Sequence, residues 1–443
     1  MNDQYAELYS SYKWFVPSQF NIAQACVHRW AENSHEGRRI ALYAEDEAGQ
    51  ADIWSYTRLA ETANQLANGL LRMGVQAGDR IAVAMGQRPE TAAAYTAIFC
   101  VGGVAMPLAA TLSVQQLEAR LRNAEARVAI VDAASGPDLV QAQMNYPGLS
   151  QIVGLGFQHD NIIPWRTLLA RQPASFRPMP TRSSSPALLM YPDGADATKG
   201  ALLAHGALIG SLPGFVASQN WFPNEAESFW SPAGWTTLPG LLASLLPALY
   251  FGRPNVAALG RFSVTRMFEI MERYQVSHAF FRPETLLQAA DELPAPRERF
   301  RLALRGIAMD GESNQAEAAF QWSRQALGVT PNTVFGQPEA WHILGNSHQK
   351  WPVQPGTIGR PYPGHLATVL DPMGKPCPAG VVGELAVNRY DVQGHPDPAV
   401  FLGYWRNDSA TQARFSGDWC LTGALATVDK QGDFRYVGRS EAS

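Results

Sequence analysis

Between Leu59 and Asp132 the chain switches repeatedly between two hydrophobic periods, and that switching restricts the fold more than any other feature. Leu59, Ala63, Leu66 and Leu70 recur at helical spacing and are followed by Gly74, a residue type favoured just past a helix end. Arg80 to Met85 (RIAVAM) is a short apolar run of strand length, Pro89 to Cys100 reads as a second helix, and VAMPL follows Gly102 and Gly103. Another helix around Gln115 to Asn123 leads into VAIVD at Val128 to Asp132. Strands alternating with helices of this length predict a parallel, doubly wound sheet, because a parallel pair needs a crossover long enough to hold a helix.

The pattern breaks between Gln172 and Pro186, where QPASFRPMPTRSSSP brings four prolines and a serine run and reads as an extended linker. Strand-like ALLM at Ala187, HAFF at His278 and RGIAM at Arg305 restore the α/β pattern. After Gly345, closely spaced turn signals (GTIGRPYPG, DPMGKPCPAG, DKQGD) surround short strands such as VGELAV. The predicted architecture is two doubly wound α/β subdomains, 1–172 and 187–345, followed by a small β-rich, barrel-like subdomain, 346–443. At roughly 150 residues per domain, 443 residues suit three such units.

Hydrophobic residues make up 46% of the chain and charged residues 17%, against a usual value of about 25%, which excludes disorder as the dominant state. The net charge of −4 gives no pull toward nucleic acid or an anionic membrane. Cys26, Cys100, Cys377 and Cys420 form no CxxC pair, so neither a zinc site nor a disulfide framework is expected. The start, MNDQYAELYSSYKWF, lacks the features of a secretory signal, and the apolar run Leu238 to Phe251 is too short to span a bilayer. A cytoplasmic location is the expectation.

The segment Ala187 to His205 (ALLMYPDGADATKGALLAH) reads as a strand, a turn-rich loop, a Lys-Gly pair and a helix-like stretch. Loops of this kind cradle phosphates when small residues expose backbone N–H groups and a lysine adds charge. Asp193 and Asp196, however, put carboxylates where an anion would sit, and Lys199 is the loop's one cation.

Taken in order, WFVPSQFNIA, GVQAGDRIAVAMGQRPET, AIFCVGGVAMPL, FWSPAGW, FGQPE, VVGELAV, FLGYW, DWCLTGA and VGR resemble the N-terminal domain of the adenylate-forming acyl-CoA synthetases. That superfamily includes nonribosomal adenylation domains and luciferase, and the likeness is greatest to the medium-chain acyl-CoA synthetases. The resemblance implies a carboxylic acid activated by MgATP to an acyl-adenylate and then passed to a thiol such as coenzyme A. It also implies a further C-terminal domain that supplies a catalytic lysine, where this chain stops at GRSEAS.

The family's phosphate loop, YTSGTTGxPKG, stands here as YPDGADATKG. Tyr191, Gly194, Lys199 and Gly200 match, whereas Pro192, Asp193, Ala195, Asp196 and Ala197 replace hydroxyl-bearing residues and a glycine, with one residue deleted. One carboxylate about 4 Å from a phosphate charge costs on the order of 4 kcal/mol at an effective dielectric of 20, or roughly a thousandfold in affinity. The family's YGQTE becomes Phe335, Gly336, Gln337, Pro338 and Glu339, in which the aromatic would stack on adenine and Glu339 would hold magnesium. Family TGD, whose aspartate accepts from both ribose hydroxyls, becomes Thr422, Gly423 and Ala424, a loss of about 3 kcal/mol. Arg439 of VGR is kept, but Ser440, Glu441 and Ala442 stand where the family has a small residue and two aspartates at its hinge.

On the acyl side, Gly234 and Trp235 fall within the family's ADWAW, Asp310, Gly311 and Glu312 within its GGE, and His205 matches a histidine after the loop. Trp235, Gly234 and His205 are therefore expected around an apolar acyl pocket. Together these readings predict a synthetase-like scaffold with acid activation lost or severely impaired, no catalytic residue assigned, and no required cofactor. The alternative is an active acid:CoA ligase using MgATP and coenzyme A, completed by a separate C-terminal domain. Expected partners are a small carboxylate or acyl ligand, an intact synthetase or such a C-terminal-domain protein, with neither nucleic acid nor membrane.

Overall fold

The helical spacing of Leu59, Ala63, Leu66 and Leu70 becomes the helix Tyr56–Arg72 in a computed structural model that describes residues 3–192 and 197–440. Ser55 caps it by accepting from the Arg58 N–H, all four apolar residues are fully buried, and Gly74 turns the chain at φ +83°. The neighbouring expectations also hold. Strands Arg80–Ala84, Val104–Pro107 and Val128–Asp132 alternate with helices Pro89–Cys100 and Val114–Ala124. These three strands pair in parallel, and the helix Pro89–Cys100 is buried along almost its whole length, as a crossover packed between layers must be.

Two large sheets result, one of eight strands and one of nine, accompanied by a five-stranded antiparallel sheet built from 367–439. Among the described residues no helix is long and apolar enough to cross a membrane.

Sheet membership does not follow the divisions 1–172, 187–345 and 346–443. Ile40–Glu45 pairs in parallel with Asn255–Ala258 and carries Ala51–Ser55 with it into the nine-stranded sheet. In the other direction Pro186–Met190 and Ala201–Ala204 join the eight-stranded sheet. Arg360–Pro361 and Gly403–Tyr404, from the last segment, each extend one of the large sheets. Contiguous divisions fail because strand pairing is set by facing hydrophobic surfaces, not by sequence proximity.

The proline-rich stretch after Gln172 is tied down rather than free. Asn64 and Asn68 donate to the carbonyls of Ala174, Pro173 and Ser175, and Phe20 N–H bonds the Thr181 carbonyl at 2.9 Å. After Lys199 and Gly200 comes the strand Ala201–Ala204, antiparallel to Pro186–Met190, and only then the helix Ala207–Ser218. Met190 and Ala201 are thus the ends of two antiparallel strands, where the sequence predicted a direct entry into a helix after the Lys-Gly pair.

His205 and His278 lie in this framework with burial pushing each imidazole down to about 4. In an unfolded chain a histidine titrates near 6.5, so between pH 6.5 and 4 the unfolded state binds more protons and stability falls as pH falls. His205 Nδ1 accepts from Ile22 N–H at 3.3 Å, a bond that needs the neutral ring. Urea unfolding at pH 7 and pH 5 should show a lower midpoint at pH 5, and His205→Asn should reduce the difference. An unchanged difference would show that His205 does not contribute.

Candidate functional site

A turn of two residues makes one wall of the main cleft. The antiparallel strands Asn332–Gln337 and Ala340–Gly345 are registered with Gln337 opposite Ala340, which leaves Pro338 and Glu339 at the turn. Proline's fixed φ suits the first position of such a turn. Gly336 is forced by crowding, since a Cβ there would lie 2.5 Å from the His342 amide nitrogen.

Glu339 is buried, yet it is not alone. Its Oε1 accepts a short hydrogen bond from the Tyr404 hydroxyl and lies 3.4 Å from Arg414 Nη2, and Phe401 N–H donates to its backbone carbonyl at 2.9 Å. Arg414 also reaches Gln337 Oε1 at 3.5 Å and the Thr422 carbonyl at 3.2 Å. Burial and the adjacent Glu339 push the Tyr404 hydroxyl far above the ordinary tyrosine range, so it stays a donor.

A second acidic group sits across the cleft. Glu312 accepts from Gln337 Nε2 at 2.8 Å and from Arg439 Nη2 at 3.2 Å, while Asp310 accepts from the Glu312 N–H at 2.9 Å. Burial raises both carboxyls above the usual range; at Asp310 the Glu312 N–H and Arg282 oppose the rise, and at Glu312 Arg439 opposes it while Asp310 reinforces it. The cleft these groups share has a volume of about 650 Å³. Lys199, Arg120, Arg282, Arg414 and Arg439 line it together with Asp310, Glu312 and Glu339, giving five cations against three acids among the described residues. Among those residues no group of three or more His, Cys, Asp or Glu side chains is arranged to hold a metal ion.

The positions named from sequence divide sharply. Tyr191, Lys199, Glu312, Gly336, Gln337, Pro338, Glu339 and Arg439 do meet at the cleft. Gly200 lies behind it, where a Cβ would press the Tyr191 ring at 2.9 Å, and Gly311 lines a separate small cavity instead. Phe335 is 1% exposed in the apolar cluster of Ile343, Leu344 and Leu385, so its ring is core and not an adenine platform. Ala424 belongs to the same cluster and is fully buried. Gly194, Asp193 and Asp196 lie outside the described residues, as do Glu441 and Ala442.

The expected acyl pocket needs correction. Trp235 is fully buried core, with its carbonyl accepting from the Tyr95 hydroxyl at 2.9 Å. His205 is also fully buried, edge-on to Phe99. Gly234 precedes the wall; the residues at the cleft are the next ones along, Thr236, Thr237, Leu238 and Pro239. Trp235 belongs to the main apolar core cluster, which sequence spacing alone does not reveal. Sequence reasoning missed Arg120, Arg282, Arg414 and Tyr404. Only Tyr404 carried a signal, inside the FLGYW match.

The residues present fit a magnesium nucleotide poorly. Glu339 Oε1 is already engaged by a hydroxyl and a guanidinium, and position 424 offers the cleft no carboxylate. No chemical step through a nucleotide follows from this arrangement.

Two measurements check these assignments. Trp235→Ala should cost about 4 kcal/mol in urea unfolding, the loss expected for a large buried side chain; a loss below about 1 kcal/mol would return Trp235 to a pocket wall. Glu339→Ala should cost about 3 kcal/mol because it strands the largely buried Arg414, and Tyr404→Phe about 1.5 kcal/mol; equal and negligible losses would mean the trio does not hold the cleft together.

Comparisons with known proteins agree with this geometry at the level of the family. The chain is 27% identical to an uncharacterized acyl-CoA ligase, YtcI, of Bacillus subtilis strain 168, over 96% of this chain and 78% of that protein. It is 28% identical to an acetyl-coenzyme A synthetase of Streptomyces coelicolor, over 96% and 69%. Among solved structures, a Brucella canis acyl-CoA synthetase superposes with a TM-score of 0.88 at 21% identity, covering 99% of this chain and 80% of that one. An anthranilate CoA ligase, AuaEII, solved with anthranoyl-AMP, gives 0.86 at 21% identity, over 96% and 79%. The family model described as AMP-binding enzyme matches residues 27–405, most of the chain, and the protein belongs to that family.

Proposed function

We propose that the main cleft binds an anionic carboxylate or acyl ligand, and that ATP-dependent activation of that ligand has been lost. The observation that carries this reading is Ala424. The resemblance puts a ribose-holding aspartate at that position, and the residue found there is a fully buried alanine packed with Phe335, Leu385 and Phe434. A family nucleotide would thereby lose hydrogen bonds to both ribose hydroxyls. Among the described residues, five cations against three acids along the cleft support an anionic guest, and Leu238, Pro239 and Trp341 give it an apolar side.

A second reading is favoured by one observation. Lys199, Glu312, Glu339 and Arg439, all family positions, lie on the same cleft. Under that reading the chain is an acid:CoA ligase with a remodelled nucleotide site, using MgATP and coenzyme A with a C-terminal domain supplied separately.

Calorimetry with MgATP separates the two. Binding no tighter than about millimolar, near −4 kcal/mol, together with no acid-dependent pyrophosphate exchange, is expected. Micromolar binding or clear exchange with any carboxylic acid would reject the first reading. A combined variant carrying the family loop across 192–198 with Pro338→Thr and Ala424→Asp should gain nucleotide affinity, provided circular dichroism shows that it folds.

A further inference from the structure

Behind the wall that holds Glu339 lies a second, larger groove of about 920 Å³. The two spaces share the segment 397–404: Tyr404 faces the main cleft, whereas Val400, Phe401 and Leu402 face the groove. Trp14 and Val16 from the N-terminal segment, and Phe415 from the five-stranded sheet, complete an aromatic and aliphatic lining. Part of this surface is open to solvent, since Leu402 is 45% exposed. Phe15 beside Trp14 and Val16 is 85% exposed and Tyr390 36% exposed, so the apolar surface continues past the rim. Apolar walls with few polar groups and a volume in this range are the ordinary form of a small-molecule site.

The polar groups are unequally committed. Asp397 is fully engaged, accepting from His365 Nδ1 at 2.6 Å and from the Ala399 N–H at 2.9 Å. Asp391, next to the groove, accepts from the backbone N–H groups of Gln393 and His395 and lies 3.4 Å from His395 Nδ1. Arg389 is different. Its guanidinium lies 4.2 Å from the centre of the Phe415 ring, its buried Nε has no hydrogen-bond partner, and its nearest carboxylate is the exposed Asp418 at 4.0 Å. The side chain is otherwise 38% exposed, and a carboxylate matches the planar fork of a guanidinium.

We propose that this groove is a second ligand site, separate from the main cleft, for an amphipathic monocarboxylate whose apolar body lies against Trp14, Phe401 and Leu402 and whose carboxylate meets Arg389. The arrangement is independent of whether the main cleft binds nucleotide. An anion is selected over a cation because the two buried acids are already hydrogen-bonded, whereas Arg389 has only the 4.0 Å contact to the exposed Asp418.

The probe pair 4-phenylbutyrate and its neutral isostere 4-phenylbutanol tests this in calorimetry with the full chain. Phenylbutyrate should bind roughly tenfold more tightly than the alcohol, the ratio expected for one charge-assisted hydrogen-bonded contact. Arg389→Gln should bring the two to equal affinity while leaving alcohol binding in place, which also shows that the variant folds. Because the main cleft is itself proposed to take a carboxylate, the isotherms are fitted to two sites: Leu402→Glu, at an exposed position, should remove one of them, and Arg439→Gln in the main cleft should leave that one in place. The proposal is overturned by no binding of either probe at low-millimolar concentration, by a preference for 4-phenylbutylamine, by an acid isotherm that both groove substitutions leave unchanged, or by loss of every acid site in Arg439→Gln.

Discussion

Three sheets meet at the carboxylate of Glu339, and the shape of the main cleft depends on that junction. The acid is carried by a turn of the nine-stranded sheet, its hydroxyl partner Tyr404 by the edge strand of the eight-stranded sheet, and its cationic partner Arg414 stands just before the five-stranded sheet. A buried charge is tolerable only when paired and hydrogen-bonded, so each sheet is constrained to present its group at this point. The Phe401 N–H bond to the Glu339 carbonyl fixes the segment that separates the cleft from the groove behind it. The two cavities thus lie on either side of one segment.

The same junction bears on chemistry. A carboxylate that is to ligate a hard cation must offer its oxygens, and Glu339 has committed one of them to partners inside the protein. Across the cleft Glu312 is likewise held, by Gln337 and Arg439. The acidic groups that sequence resemblance places around a nucleotide thus each have partners inside the protein, and among the described residues the cleft is lined by five cations and three acids.

Much of the scaffold was legible in the chain because its strands are fully buried parallel runs, such as VAIVD at Val128–Asp132, bounded by turn residues. The helix Pro89–Cys100 was placed residue for residue. What the chain did not disclose is which sheet a strand joins. Ile40–Glu45 crosses to the sheet formed mainly by residues more than two hundred positions later, a nonlocal choice that no local period encodes. At the site, the motif positions Lys199, Glu312, Glu339 and Arg439 line one cleft, whereas Phe335 and Trp235 are core. Aromatic side chains serve packing and ligand contact equally well, and only burial distinguishes them. Arg120, Arg282 and Arg414 escaped notice because single arginines scattered along a chain carry no pattern until folding gathers them.

Burial also decides against a grouping that geometry alone would promote. Cys100 Sγ lies 3.8 Å from His28 Nε2, and the same nitrogen lies 2.7 Å from Asn64 Oδ1, a thiol, an imidazole and an amide of the kinds used in nucleophilic catalysis. Yet Cys100 is fully buried, burial pushes its thiol far above the ordinary cysteine range, and Asn64 turns its amide to the Ala174 carbonyl. With no route for a substrate and no stabilised thiolate, these residues fasten the linker after Gln172 to the first sheet's helices. The contrast with Arg389 is instructive: both places contain polar groups among apolar neighbours, but the cysteine's surroundings are closed and the histidine between them is bonded. Arg389 lines an open groove with only an exposed acid 4.0 Å away, beside accessible apolar surface.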